Sequence, residues 1–178
     1  MKKLLQAKKR GSAISLAVAV LLVYGSTLFA SHKSKMDNKW EGFRGLKWDM
    51  NIEEINNPNM ILVKTSKDKL FTLYTRKTDK LSIGNAKLET IHYFFYKGKL
   101  FLIHIYAKGH SNFRSLQGAI SAYYEPGYQP NKYVSKWEWY KEYNGGVGMD
   151  LEYNVFNRKT TIRMYYYPIL KKIKEDKF

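Results

Sequence analysis

The stretch Glu89-Thr-Ile-His-Tyr-Phe-Phe-Tyr-Lys-Gly-Lys-Leu-Phe-Leu-Ile-His-Ile-Tyr-Ala-Lys-Gly109 limits the choice of fold more than any other part of this chain. Two aromatic and β-branched runs flank Lys97-Gly98, the pattern of a tight β-hairpin. Runs of the same kind lie on both sides. Met60 to Lys64 and Leu70 to Arg76 read as strands joined around Ser66-Lys67-Asp68, and Gly84-Asn85 marks another turn. Tyr133 to Tyr143 reads as a strand, with Trp137 and Trp139 on one face by its period of two. Asn144-Gly145-Gly146 is a turn, and Gly145 to Gly148 as a whole reads as a flexible connection. Leu151 to Phe156 and Thr160 to Tyr166 form a second hairpin across Asn157-Arg158-Lys159.

Helical signals are fewer. Asn51-Ile-Glu-Glu-Ile reads as a short helix capped by Asn51, with Glu53 and Glu54 at its positive end. Asn56-Asn57-Pro58-Asn59 ends it. Ser111 is placed to cap an amphipathic helix that runs to about Tyr124, where Pro126-Gly127 stops it. Its apolar stripe is Phe113, Leu116, Ile120 and Tyr123, at spacings of three and four. Pro168 closes the last strand, and Ile169 to Phe178 is a short basic tail with helical character.

The order is therefore helix, four strands, helix, three strands. Strands joined by short links pair antiparallel rather than building a parallel sheet. The expected class is α+β: a twisted antiparallel sheet of about seven strands, with the Ser111 helix on one face meeting residues such as Phe95 and Leu102.

Ahead of this domain lies a different kind of sequence. Lys2, Lys3, Lys8, Lys9 and Arg10 precede twenty uncharged residues, Gly11 to Ala30, with a nearly aliphatic stretch from Ala13 to Tyr24. A positive start, an apolar middle and a small residue before a polar run make up a secretory signal, with the charges left in the cytoplasm. The polar break at Gly25-Ser26-Thr27 and Ala30 before Ser31 favour cleavage. Left uncut, a segment of about 20 apolar residues would anchor the domain in the inner membrane. The expected organisation is a signal peptide or anchor over 1–30, a polar linker over 31–39 and a single domain over 40–178. Such a chain works in the cell envelope, on the periplasmic or extracellular side.

With no cysteine, disulfides, thiol chemistry and lipid attachment to cysteine are all excluded. Packing must hold the domain, and 15 Tyr, 9 Phe and 4 Trp supply large side chains for it. Of the 31 Lys and Arg, five belong to the N-terminal start. The remaining 26 face 15 Asp and Glu, so the outer domain carries +11. These positives are scattered in turns, which reads as a solvated surface.

Catalytic sets are missing from the pattern. His32, His92, His104 and His110 have no metal-ligand spacing. His92 and His104 share a face if the hairpin loop holds three residues, and point to opposite faces if it holds two. No serine sits in a G-x-S-x-G elbow. Gly145-Gly146-Val147-Gly148 lacks the lysine and the helix of a phosphate loop. The candidate acid pairs are Glu53-Glu54 at a helix start, Glu138 and Glu142 among Lys136 and Lys141, and Asp150 and Glu152 flanking a strand. Capping or surface pairing accounts for each, and a hydrolase would use Glu152 with Asp150 or Glu142. No cofactor is expected.

What remains is aromatic residues mixed with bases. Trp137, Trp139, Tyr165 and Tyr167, with Lys136, Lys141 and Arg163, make a candidate partner surface on the sheet face opposite the helix. A nucleic-acid stacking platform is a weaker reading, because an exported domain does not meet nucleic acid.

The segment Phe43-Arg-Gly-Leu-Lys-Trp-Asp-Met-Asn-Ile-Glu-Glu-Ile resembles the opening of an uncharacterised group of small bacterial exported α+β domains, with an aromatic–Gly–x–x–Trp turn and then a short helix. Tyr74-Thr-Arg-Lys, Leu81-Ser-Ile-Gly, Ile91-His-Tyr-Phe-Phe-Tyr-Lys-Gly-Lys-Leu and Ser111-Asn-Phe-Arg-Ser-Leu are similar to the same group. The likeness spans most of Trp40 to Tyr167. It departs at Tyr124-Glu-Pro-Gly, where the group has Tyr-Gly-x-Pro. The resemblance implies an exported α+β domain and assigns no activity. The resulting expectation is a non-catalytic envelope protein that binds a protein, an anionic lipid head group or an envelope polymer. The alternatives are a hydrolase of such a polymer and a basic nucleic-acid-binding module.

Overall fold

A computed structural model describes residues 38–55, 57–141 and 146–176. The positive start, the apolar segment and most of the linker lie outside the described residues, as do His32 and Glu142. A compact unit begins at Trp40. No helix among the described residues is long and apolar enough to cross a membrane.

The fold is α+β. Two short strands, β1 (Gly42–Phe43) and β2 (Leu46–Lys47), lead to helix α1 (Ile52–Ile55). Strands β3 (Met60–Thr65) and β4 (Phe71–Arg76) follow, then a small hairpin of β5 (Ser82–Ile83) and β6 (Ala86–Lys87). The long hairpin is β7 (Thr90–Tyr96) and β8 (Lys99–Lys108). Helix α2 (His110–Tyr124) precedes β9 (Lys136–Lys141), β10 (Val147–Asn154) and β11 (Lys159–Tyr166), and helix α3 (Tyr167–Glu175) comes last. Seven strands form one antiparallel sheet in the order β3-β4-β7-β8-β11-β10-β9. Strands β8 and β11 meet at its centre, so the two sequence hairpins are fused into a single surface.

Alternation of side chains divides the sheet into two faces. One register row runs Trp139, Met149, Met164, Ile103, Tyr93, Tyr74. Its neighbour on the same face runs Trp137, Leu151, Ile162, Ile105, Ile91. Helix α2 covers this face with Phe113, Leu116 and Ile120, all buried in one core with Phe95, Leu100, Val147, Trp40 and Trp48. Full burial of each such side chain is worth roughly 1.5–3 kcal/mol, so this layer carries most of the stability. Helix α3 packs on the other face at one end, where Ile169 joins Tyr96 and Phe101 in a separate buried cluster.

Several local expectations change. Ser111 is not a cap: α2 begins at His110 behind Gly109, whose φ of 88° suits glycine, and no side chain caps the helix. Asn112 works nearby instead. Its amide donates to the Lys108 carbonyl at 2.8 Å and its oxygen accepts from the Lys87 N–H at 3.0 Å. Tyr123 is 53% exposed, while Tyr124 packs on Trp40 with ring centroids 4.6 Å apart. At 3.6 residues per turn, the position four after Ile120 lies nearer the stripe than the position three after it. Leu102 sits in the α3 cluster, on the face away from α2. Val147 and Gly148 are not a flexible connection but buried strand. A Cβ on Gly148 would lie 2.2 Å from the Tyr165 ring, so the glycine is there to admit that ring. Asn51 does cap α1, accepting from the Glu53 N–H at 3.0 Å. Pro168 starts α3 as well as ending β11.

Candidate binding face

The β7–β8 hairpin has a two-residue loop, Lys97-Gly98, with both residues at positive φ. By parity alone this loop would send His92 and His104 to opposite faces. A bulge intervenes: Phe95 pairs with Leu100 but Phe94 pairs with Leu102, leaving Phe101 as the extra residue. His92 therefore stands directly opposite His104.

That shift completes a row on the face away from α2. Across five strands, Glu138, Asp150, Arg163, His104 and His92 lie side by side in register. Arg163 is the hub. Its Nε donates to Asp150 Oδ1 at 2.8 Å and its Nη2 to Glu152 Oε2 at 2.5 Å. Asp150 is only 6% exposed, and burial holds its carboxyl above the usual range despite the guanidinium beside it. Lys136 donates to Glu138 at 2.5 Å. Three carboxylates against two cations leave this strip one charge negative when all are ionised.

The histidine end of the row is aromatic. The His104 and Phe94 rings are 4.9 Å apart, and the His92 and Tyr106 rings 5.3 Å apart. His104 Nδ1 lies 3.0 Å from the Tyr106 hydroxyl, and the Lys159 ammonium sits 4.4 Å above the Tyr106 ring. Burial, aided by Arg163 and His92, pushes His104 down to about 4, so it is neutral at pH 7. Burial and Lys159 push His92 down as well.

Three tyrosines border the other side. Tyr165 and Tyr167 have ring centroids 5.2 Å apart, and Tyr140 and Tyr167 5.6 Å. Tyr140 is 61% exposed and Tyr167 38%, whereas Tyr165 is half-buried. Gly146 gives the group room, since a Cβ there would lie 2.8 Å from the Tyr140 hydroxyl.

The structure thus brings Lys136, Arg163, Tyr165 and Tyr167 together on one face. It places Trp137 and Trp139 on the opposite one. Both do share a face, as their spacing requires, but it is the α2 face: Trp137 packs against Phe113 with ring centroids 5.6 Å apart, and Trp139 is in the core. Trp139 also fastens a neighbouring segment, donating from Nε1 to the Glu125 carbonyl at 2.9 Å and lying against Gly127. Lys141 stands opposite Val147 at the end of β9. Asp150 and Glu152 do converge, but on Arg163 and on an open sheet face. Tyr140 was missed. Its signal was available, because it lies one step out of phase with the two tryptophans in Lys136-Trp-Glu-Trp-Tyr-Lys141 and must share the face of Lys136 and Glu138.

No known family, curated protein or solved structure matches this chain. Among the described residues no group of three or more His, Asp or Glu is placed to hold a metal ion. His110 stands apart from the row, packed between Phe113 and Tyr153.

Proposed function

We propose that this is an exported, non-catalytic binding domain of a bacterial cell envelope, and that the face away from α2 holds an uncharged, hydroxyl-rich envelope polymer such as a polysaccharide. The observation that carries this reading is the in-register row of hydrogen-bonding groups bordered by Tyr140, Tyr165 and Tyr167, on a sheet face that among the described residues α3 covers at one end. Amphipathic rings offer stacking area with a polar tip, and fixed carboxylates with a guanidinium orient hydroxyls. The near-neutral strip favours an uncharged ligand over an acidic one, although the domain as a whole is basic. Both acids are bonded to Arg163, which suits binding better than proton transfer. The N-terminal segment and the resemblance to exported domains support the location.

The test is sedimentation of the full-length chain, in detergent, with purified insoluble cell-wall glycan. The expected result is retention that persists in 0.5 M salt (roughly a 4 Å Debye length) and falls at least tenfold in Tyr140→Ala and Tyr165→Ala. Cleavage of the glycan that is lost in Glu152→Gln would replace this reading with the hydrolase. Binding only to anionic vesicles, abolished by salt, would replace it with a lipid-surface role.

A further inference from the structure

The two borders of the seven-stranded sheet differ. The β9 border is covered at its middle: Tyr128 exchanges two backbone hydrogen bonds with Glu138, at 2.9 and 2.8 Å. Among the described residues the β3 border carries no such cover, and its middle is apolar. Ile61, Leu62 and Val63 are 37%, 52% and 52% exposed. The Lys77 N–H donates to Asn59 and the Ser66 N–H to Phe71, so by antiparallel alternation Leu62 and Thr65 turn their backbone groups away from β4. Such an edge is a template for another strand.

Register and charge define what fits. Leu62 pairs with Tyr74 and so extends the apolar row on the α2 side. Lys64 pairs with Leu73 and projects on the other side. Lys64, Lys67, Lys69 and Lys77 are exposed, and none forms an ion pair among the described residues. From Asn57 to Lys80 six Lys and Arg face two Asp. A second copy would bring the same cations to the border and be repelled.

We infer that β3 is a docking edge for an extended segment of a partner protein in which apolar and acidic residues alternate, added as an eighth strand. The apolar side chains lie beside Leu62 and continue the core row; the acidic ones lie beside Lys64. Main-chain bonds to Leu62 and Thr65 supply affinity, and the alternation supplies specificity. This surface is separate from the polymer-binding face, so the two proposals stand or fall independently.

The experiment uses fluorescence anisotropy with the full-length chain in detergent and a labelled ten-residue peptide alternating Val and Glu. Binding is expected in the micromolar range. It should weaken at least tenfold when alternate peptide nitrogens are methylated, and at least fivefold in Lys64→Glu, a surface change that leaves the core intact. Equal binding of a Val–Lys peptide would overturn the charge argument. Indifference to N-methylation would overturn strand addition. Failure of the peptide to bind while light scattering shows a dimer that Leu62→Glu dissolves would assign the edge to a second copy instead.

Discussion

On the α2 side of the sheet, the row from Trp139 through Met149, Met164 and Ile103 to Tyr93 is continuous apolar surface. One residue along each of the same strands, on the other side, the row reads Glu138, Asp150, Arg163, His104, His92. The backbone is shared, so the difference lies wholly in parity. The packed face can be judged mainly by volume, because its contacts are mostly hydrocarbon and rings, with Tyr93 on Asp79 and Trp139 on the Glu125 carbonyl as its polar ties. The polar face must be judged by partners, because its groups are held by specific neighbours. Arg163 is held by Asp150 and Glu152 across a strand pair, and Lys136 and His104 by Glu138 and Tyr106 two residues along their own strands. One face holding most of the core leaves the other room for polar groups whose contribution depends on their pairing.

Three measurements break or sharpen that contrast. The largest effect belongs to the packed face. Phe95→Ala removes a fully buried ring, and denaturant unfolding should show a loss of about 3–5 kcal/mol. Next is Arg163→Met on the polar face. It leaves Asp150 buried without its guanidinium, and we expect a loss of about 2 kcal/mol at pH 7, reduced from the fully buried case because Arg163 is partly exposed. That loss should shrink as pH falls, since a carboxyl whose pKa burial has raised takes up a proton and no longer needs the cation. A loss that stayed constant from pH 7 to pH 4 would mean that Arg163 acts by packing alone. The smallest is His104. Its folded pKa of about 4 is below the ordinary 6.5, so between those values the unfolded chain binds a proton that the folded chain resists. Stability should therefore fall as pH drops from 6.5 towards 4, by roughly 1–2 kcal/mol after allowance for partial exposure. His104→Phe, which keeps a ring beside Phe94 and Tyr106 but removes the proton site, should flatten this slope. An unchanged slope would place the titrating group elsewhere.

Local patterns sufficed for the seven strands, for α2 and for the shared face of Trp137 and Trp139, because each depends on a period of two or 3.6 within one element. They did not suffice to say which face the tryptophans take. That depends on where α2 docks, and Phe113 decides it from another part of the chain. The same limit hid the row at Arg163. Asp150, Glu152 and Arg163 are visible as residues in strands, but their meeting requires the register between β10 and β11. Phe101 shows the limit most sharply. The sequence leaves the loop at Lys97-Gly98 open between two and three residues; it has two, yet a bulge three residues later reverses the parity that a two-residue loop implies. Gly148 carried a misleading local signal: glycine suggests a turn, whereas here it yields space to Tyr165 across the strand pair.

The cover that Tyr128 lays over β9 has a consequence for assembly. A sheet interrupted at the middle of one border and, among the described residues, open along the other offers an added strand one continuous edge. Joining two such molecules edge to edge uses up both open borders, and a single foreign strand does the same for one. Run-on stacking into a fibre needs a second continuous acceptor border, and the Tyr128 bridge, with Trp139 seated against Gly127, interrupts the β9 border at Glu138. An association that uses the β3 edge therefore consumes it, and the interrupted β9 border disfavours extension into a filament.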